Sequence, residues 1–139
     1  LLSANWENEY VALDRFTGTL AWRAHGEDPY FGLDEAPEVA GQTAYVASHD
    51  QHAMALDLGT GRVLWRTRVG SGANKVAPCG KRLLVQDLGV SVIDLTDGRF
   101  IERRYDASVN EALHTDFVVV GDRAYVFGRK DLYAFRCPT

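Results

Sequence analysis

The chain has 139 residues, 46% of them hydrophobic, which is enough to bury a real core. Fifteen Lys and Arg against nineteen Asp and Glu leave a formal net charge of −4, which argues against a nucleic-acid backbone as partner. No apolar run approaches the ~18 residues of a membrane-spanning helix, and no polar, Pro-rich or Ser-rich linker splits the chain into two domains.

The first unit covers about residues 1–35. Shifted by 43 positions, Leu2 aligns with Tyr45, so residues 2–4 read as the second strand of a unit whose first strand is missing. Trp6 lies near an expected hairpin tip. Then comes Ala12-Leu13-Asp14-Arg15-Phe16-Thr17-Gly18-Thr19-Leu20-Ala21-Trp22, a strand, a tight turn and a second strand. Residues 27–35 form the longest irregular stretch and are expected to cross to the next unit. Its acidic group, Glu27, Asp28, Asp34 and Glu35 with Glu38 beyond, lacks the alternating spacing of a calcium loop. Trp6, Tyr30 and Phe31 stand outside any repeat. They are candidates for a contact surface, with capping of a sheet edge as the alternative.

The second unit, about 36–75, holds four expected strands at 36–40, Thr43–Ser48, 53–57 and Val63–Arg68. Within it Ala55-Leu56-Asp57-Leu58-Gly59-Thr60-Gly61-Arg62-Val63-Leu64-Trp65 repeats the first unit's motif 43 residues on. Ala12, Asp14, Thr17, Gly18 and Trp22 thus correspond to Ala55, Asp57, Thr60, Gly61 and Trp65. His49-Asp50-Gln51-His52 carries ligand types suited to zinc or copper. It falls on a hairpin tip and has no further ligand close in sequence, so no metal site is assigned. Gly70-Ser71-Gly72-Ala73-Asn74-Lys75 leads into a strand and not into the helix N-terminus that a phosphate loop needs.

The third unit, about 76–114, keeps Asp94 and Gly98 in Val92-Ile93-Asp94-Leu95-Thr96-Asp97-Gly98-Arg99-Phe100, 37 residues on. Asp97 replaces the Thr, and Glu102 stands where the Trp belongs. The fourth, about 115–139, has strands near 117–120 and 123–127 and begins another motif copy at Leu132. A second signature keeps step with the first: Gly41, Gly80 and Gly121 each precede two polar residues and an apolar run, a hairpin turn entering a strand. Cys79, expected in a turn, and Cys137 could pair across units or stand as two independent thiols. No window shows a helical apolar stripe. A period near 40 residues holding four short strands is the pattern of a propeller blade. The chain therefore reads as an all-β β-propeller of about three and a half four-stranded antiparallel blades, fourteen strands in all.

The motif Ala-x-Asp-x-x-Thr-Gly-x-x-x-Trp resembles the repeat of the pyrroloquinoline-quinone-type (PQQ-like) propellers. The resemblance implies that Trp22 and Trp65 dock between neighbouring blades. It also implies a periplasmic or extracellular bacterial location, and two classes of function. One is a non-catalytic binding, scaffolding or sensor propeller, as in an outer-membrane assembly lipoprotein and in sensor domains of bacterial Ser/Thr kinases; it needs no cofactor and implies a protein partner. The other is a quinone-dependent dehydrogenase, which would take PQQ with calcium and a general base. The chain carries no Gly-x-Ser-x-Gly elbow, Walker-type loop or adjacent Cys-Cys pair. No catalytic residue is assigned, and the first class is the expectation. Asp14, Asp57 and Asp94, recurring at blade spacing, read as turn carboxylates and not as a catalytic set. The open arc is expected to be completed by further blades of a longer chain, of which this is a C-terminal piece. The alternative is a second copy, since two sets of fourteen strands would suffice for seven blades.

Overall fold

The computed structural model describes residues 2–4, 9–25, 36–48, 50–73, 75–106, 113 and 115–139, with the backbone alone at 2–4, 105 and 106. The described residues form fourteen strands: β1 (Leu2–Ala4), β2 (Glu9–Leu13), β3 (Leu20–His25), β4 (Glu38–Ala40), β5 (Thr43–Ser48), β6 (His52–Asp57), β7 (Val63–Arg68), β8 (Lys75–Cys79), β9 (Arg82–Gln86), β10 (Gly89–Asp94), β11 (Phe100–Asp106), β12 (Val118–Val120), β13 (Arg123–Phe127) and β14 (Leu132–Arg136). They pair as four antiparallel meanders, β1-β2-β3, β4-β5-β6-β7, β8-β9-β10-β11 and β12-β13-β14. This is the arrangement of propeller blades.

The turns follow from backbone chemistry. Gly41, Gly80 and Gly121 each adopt φ near +60°, the left-handed conformation that lets two-residue hairpins join the first and second strands of a blade. Three strand starts differ from expectation. β6 begins one residue early at His52, which pairs with Ser48 and Arg68. β4 begins at Glu38 and β12 at Val118, because Ala36, Pro37 and Phe117 take no part in the ladder. Cys79 is the last residue of β8, paired with Arg82, and not a turn residue. The seven-blade arithmetic also needs correction. Each chain contributes four separate sheets, so two copies would bring eight sheets.

Each core cluster lies between consecutive sheets, and the strand period explains why. In β5, Ala44 and Val46 face the first sheet with Tyr10, Ala12 and Trp22, whereas Tyr45 and Ala47 face the third with Leu83, Val85 and Ile93. β5, β6, β9 and β10 are therefore buried on both faces and read as near-continuous apolar runs. The last sheet is covered on one face only. Ala124 and Val126 point to the third sheet, while Val118, Val120, Phe127 and Leu132 stay 54–62% exposed.

Candidate functional site

The recurrent residues converge on the junctions between sheets. Each begins with the turn after a blade's third strand. Asp14 Oδ1 accepts the backbone N–H of Phe16 and of Thr17, both at 2.9 Å, and the Thr17 hydroxyl at 3.1 Å. Asp57 Oδ1 accepts Gly59 N at 3.1 Å, Thr60 N at 2.9 Å and the Thr60 hydroxyl at 2.9 Å. Asp94 accepts Thr96 N at 2.9 Å, and Asp97, in the Thr position, accepts Arg99 N. These bonds favour the charged carboxylate. Asp14 is held below the ordinary range chiefly by the Thr17 and Phe16 amides, Asp57 by the Thr60 hydroxyl and amide, and Asp94 by the Thr96 amide. All three carboxylates serve their own turns, and Asp94 also pairs through Oδ2 with Arg82 of β9.

The turn then seats the preceding blade's indole. Gly18, Gly61 and Gly98 each donate to the carbonyl of the turn's Asp and adopt φ of +71° to +75°. A Cβ at Gly61 would stand 2.7 Å from Trp22 Cδ2, and one at Gly98 2.7 Å from Trp65 Cγ. Trp22 lies opposite Ala12 on its own sheet and donates from Nε1 to Leu58 O at 2.9 Å. Trp65 lies opposite Ala55 and donates to Leu95 O at 3.1 Å, with Tyr45 tilted against it at 6.1 Å. Trp22 is buried and Trp65 half-buried. A planar cofactor stacked on the indole face that meets the glycine would have to displace that glycine.

A second set of contacts holds the other end of the blades, and its ion pairs were not picked out from the sequence, where Asp50 and His52 were weighed only as metal ligands. Asp50 at the β5–β6 tip pairs with Arg66 at 2.9 Å, and Asp87 at the β9–β10 tip pairs with Arg103 at 2.8 Å. The signal was available: both pairs are 16 residues apart and the second follows the first by 37. Asp87 Oδ2, fully buried, also accepts the Ser91 hydroxyl and Gly70 N, both at 2.6 Å. His52 lies 3.3 Å from Asp50, and its Nδ1 is 2.9 Å from Asp50 O. His49 lies outside the described residues. Among the described residues no group of three or more His, Cys, Asp or Glu is placed to hold a metal ion. Glu38 is exposed on β4, whereas the other members of the acidic group, and Trp6, Tyr30 and Phe31, lie outside the described residues.

Cys79 and Cys137 form a disulfide, which decides between the two readings of the cysteines. A cavity of about 460 Å³ adjoins it, lined among others by Gly80, Lys81, Asp122, Cys137 and Pro138.

The sequence matches the family model for outer membrane protein assembly factor BamB over residues 1–137. No curated protein matches it. Among solved structures it is similar to BamB from Moraxella catarrhalis, with a TM-score of 0.74 and 15% identity, over 98% of this chain and 46% of that one. It is also similar to the computationally designed Ika4 protein, with a TM-score of 0.82 and 13% identity, over 99% of this chain and 84% of that one. The dihydro-heme d1 dehydrogenase NirN aligns with a TM-score of 0.79 and 16% identity, over 97% of this chain and 32% of that one. At these identities the likeness is one of fold, and the chain spans less than half the length of the BamB structure.

Proposed function

We propose, since this chain belongs to the family of PQQ-like β-propeller repeats described as outer membrane protein assembly factor BamB, that it is a non-catalytic protein-binding or scaffolding segment of an extracytoplasmic bacterial propeller. One observation carries the reading. The recurrent side chains that could serve chemistry, the three turn aspartates and the two tryptophans, are spent on holding turns and docking sheets. A PQQ-dependent enzyme would need a stacking face and calcium-binding carboxylates, and these residues do not fit that demand. In this reading the protein works through its non-repeating surface, and its partner is a protein. The uncovered face of the last sheet, Val118, Val120, Phe127 and Leu132, belongs against a further blade of the same polypeptide.

Titration of the intact protein with PQQ and calcium tests the role. Unchanged absorbance and unchanged melting temperature up to millimolar ligand support it, and a saturable change in either overturns it. Fractionation of cells producing the full-length protein tests the location. Recovery with the cytoplasmic fraction would remove the extracytoplasmic assignment.

A further inference from the structure

The three junctions between sheets are not built alike. At the first, the Trp22 indole bonds Leu58 O; at the second, the Trp65 indole bonds Leu95 O. At the third, the register position of the indole, opposite Val92, holds Glu102. Glu102 is exposed and pairs with Arg104 of its own strand at 2.6 Å. On the receiving side, Leu58 N donates to Gln42 O at 2.9 Å, Leu95 N to Lys81 O at 3.2 Å and Cys137 N to Asp122 O at 2.7 Å. Cys137 therefore occupies the position of Leu58 and Leu95, the residue that receives the indole at the other two junctions. It is bonded to Cys79 of the preceding sheet, with the two Cα atoms 5.2 Å apart.

We propose that the Cys79–Cys137 disulfide is the latch of the third junction, standing in for the missing tryptophan, and that it can be opened by a dithiol reaching it from the Cys137 side. The bond closes a loop across 58 residues and joins β8 to the end of the last sheet. What else crosses this junction is the apolar cluster of Leu84, Val90, Val92, Ala124 and Val126, together with polar contacts such as Lys75 to Asp116 at 2.7 Å and Arg104 Nη1 to Arg136 O at 3.3 Å. An indole latch is indifferent to redox conditions; this one is not. Cys79 is fully buried, while Cys137 is 9% exposed and lines the 460 Å³ cavity, so an incoming thiolate meets the bond at Cys137. Attack on Cys137 Sγ breaks the S–S bond, and Cys79 leaves as a thiolate that takes up a proton. The second thiolate of the dithiol then displaces Cys137. The protein has gained two electrons and two protons, and the dithiol has become a disulfide. The last sheet is then held by the remaining noncovalent contacts alone.

Hydrogen exchange read by mass spectrometry on the full chain tests this in three states: oxidised, treated with dithiothreitol, and carrying Cys79→Ala with Cys137→Ala. Reduction is expected to speed exchange of the β12–β14 amides by at least about 10-fold, while β4–β7 change by less than about two-fold. The double variant should match the reduced protein. Unchanged β12–β14 exchange on reduction would overturn the latch, as would loosening of all four sheets together. Free thiols in protein prepared under oxidising conditions would overturn it too. A bond that resists dithiothreitol until the whole chain unfolds would overturn the access from Cys137.

Discussion

Trp22→Ala is the sharpest probe of blade docking. The indole is 9% exposed and packs among Ala12, Ala24, Ala44 and Val46. The alanines and Val46 cannot swing in, and Met54, Leu56 and Leu58 of the same cluster can fill only part of the space, so a cavity would remain. Truncating a buried Trp costs about 3–5 kcal/mol, the upper part of the range applying where the site cannot collapse. The Nε1 bond to Leu58 O is also lost, at about 1 kcal/mol, and is part of that figure. We expect a loss near 4 kcal/mol. With a urea m-value of about 2 kcal/mol/M for a chain of this size, the unfolding midpoint should fall by about 2 M. Trp22→Phe keeps most of the apolar contact and loses the N–H donor, so its midpoint should fall by less than half as much. Sheets in a repeat array can loosen one at a time. Exchange at β2 and β3 amides should therefore rise before that of β8–β11. A Trp22→Ala midpoint within about 0.3 M of the parent would refute docking by the indole, whatever happened to partner binding.

Gly98→Ala should destabilise far more than Gly41→Ala. Both residues have positive φ, about 1 kcal/mol of strain for Ala, but only at Gly98 does the new Cβ strike an indole; at Gly41 nothing lies within 4 Å. Thermal melts compare the two, and equal losses would contradict the wedge. Arg103→Ala should cost about 3 kcal/mol in denaturant unfolding, because it strips a charge partner from the fully buried Asp87. Arg104→Ala, whose contacts to Glu102 and to Arg136 O are both exposed, should change stability by less than about 0.5 kcal/mol. In acid, the turn aspartates have folded pKa values below their unfolded ones, so their contribution is present above about pH 4 and disappears as pH falls through the folded values. Asp57→Asn should flatten the acid limb of a stability–pH profile, and an unaltered limb would contradict this. In alkali, burial and then the nearby Asp50 push the Tyr10 hydroxyl well above its ordinary value. The unfolded chain releases that proton first, so stability should fall as pH rises past about 10, and Tyr10→Phe should reduce the slope.

The blades were legible because a propeller repeats the same contacts, and the contacts are made by few residues. Asp57, Thr60, Gly61 and Trp65 are close in sequence, each has a distinct turn or packing role, and the set recurs whole at Asp14 to Trp22. The third and fourth copies could be found only through that frame, since Glu102 had replaced the Trp of the third and Arg136 the Asp of the fourth. The Asp50–Arg66 and Asp87–Arg103 pairs were harder to see. Their residues belong to common surface types, and it is burial at the hairpin tip, set by the neighbouring blade, that gives them weight. The cysteine pairing was legible only as one of two readings. Two thiols 58 residues apart become neighbours only once β14 is laid against the third sheet, and nothing local in either segment announces that.

Recurrence marks the structural positions of this chain. A residue that recurs at every junction is answerable to the junction, because a change there must be tolerated by the adjoining blade. Under the proposed function, partner specificity comes from positions that do not recur. The third junction is where the repeat gives way: Glu102 for the indole, a cystine for the leucine seat, and a last sheet with Val118, Val120, Phe127 and Leu132 uncovered. An indole seat needs a positive-φ glycine three residues after the receiving leucine, as at Gly61 and Gly98. A cystine needs only two Cβ atoms at the right separation. Replacing one by the other joins the last two sheets without calling on an indole seat. Under the proposed function, the residues around the cystine are freer to vary than those of an indole seat while the last sheet stays attached, as a contact surface requires.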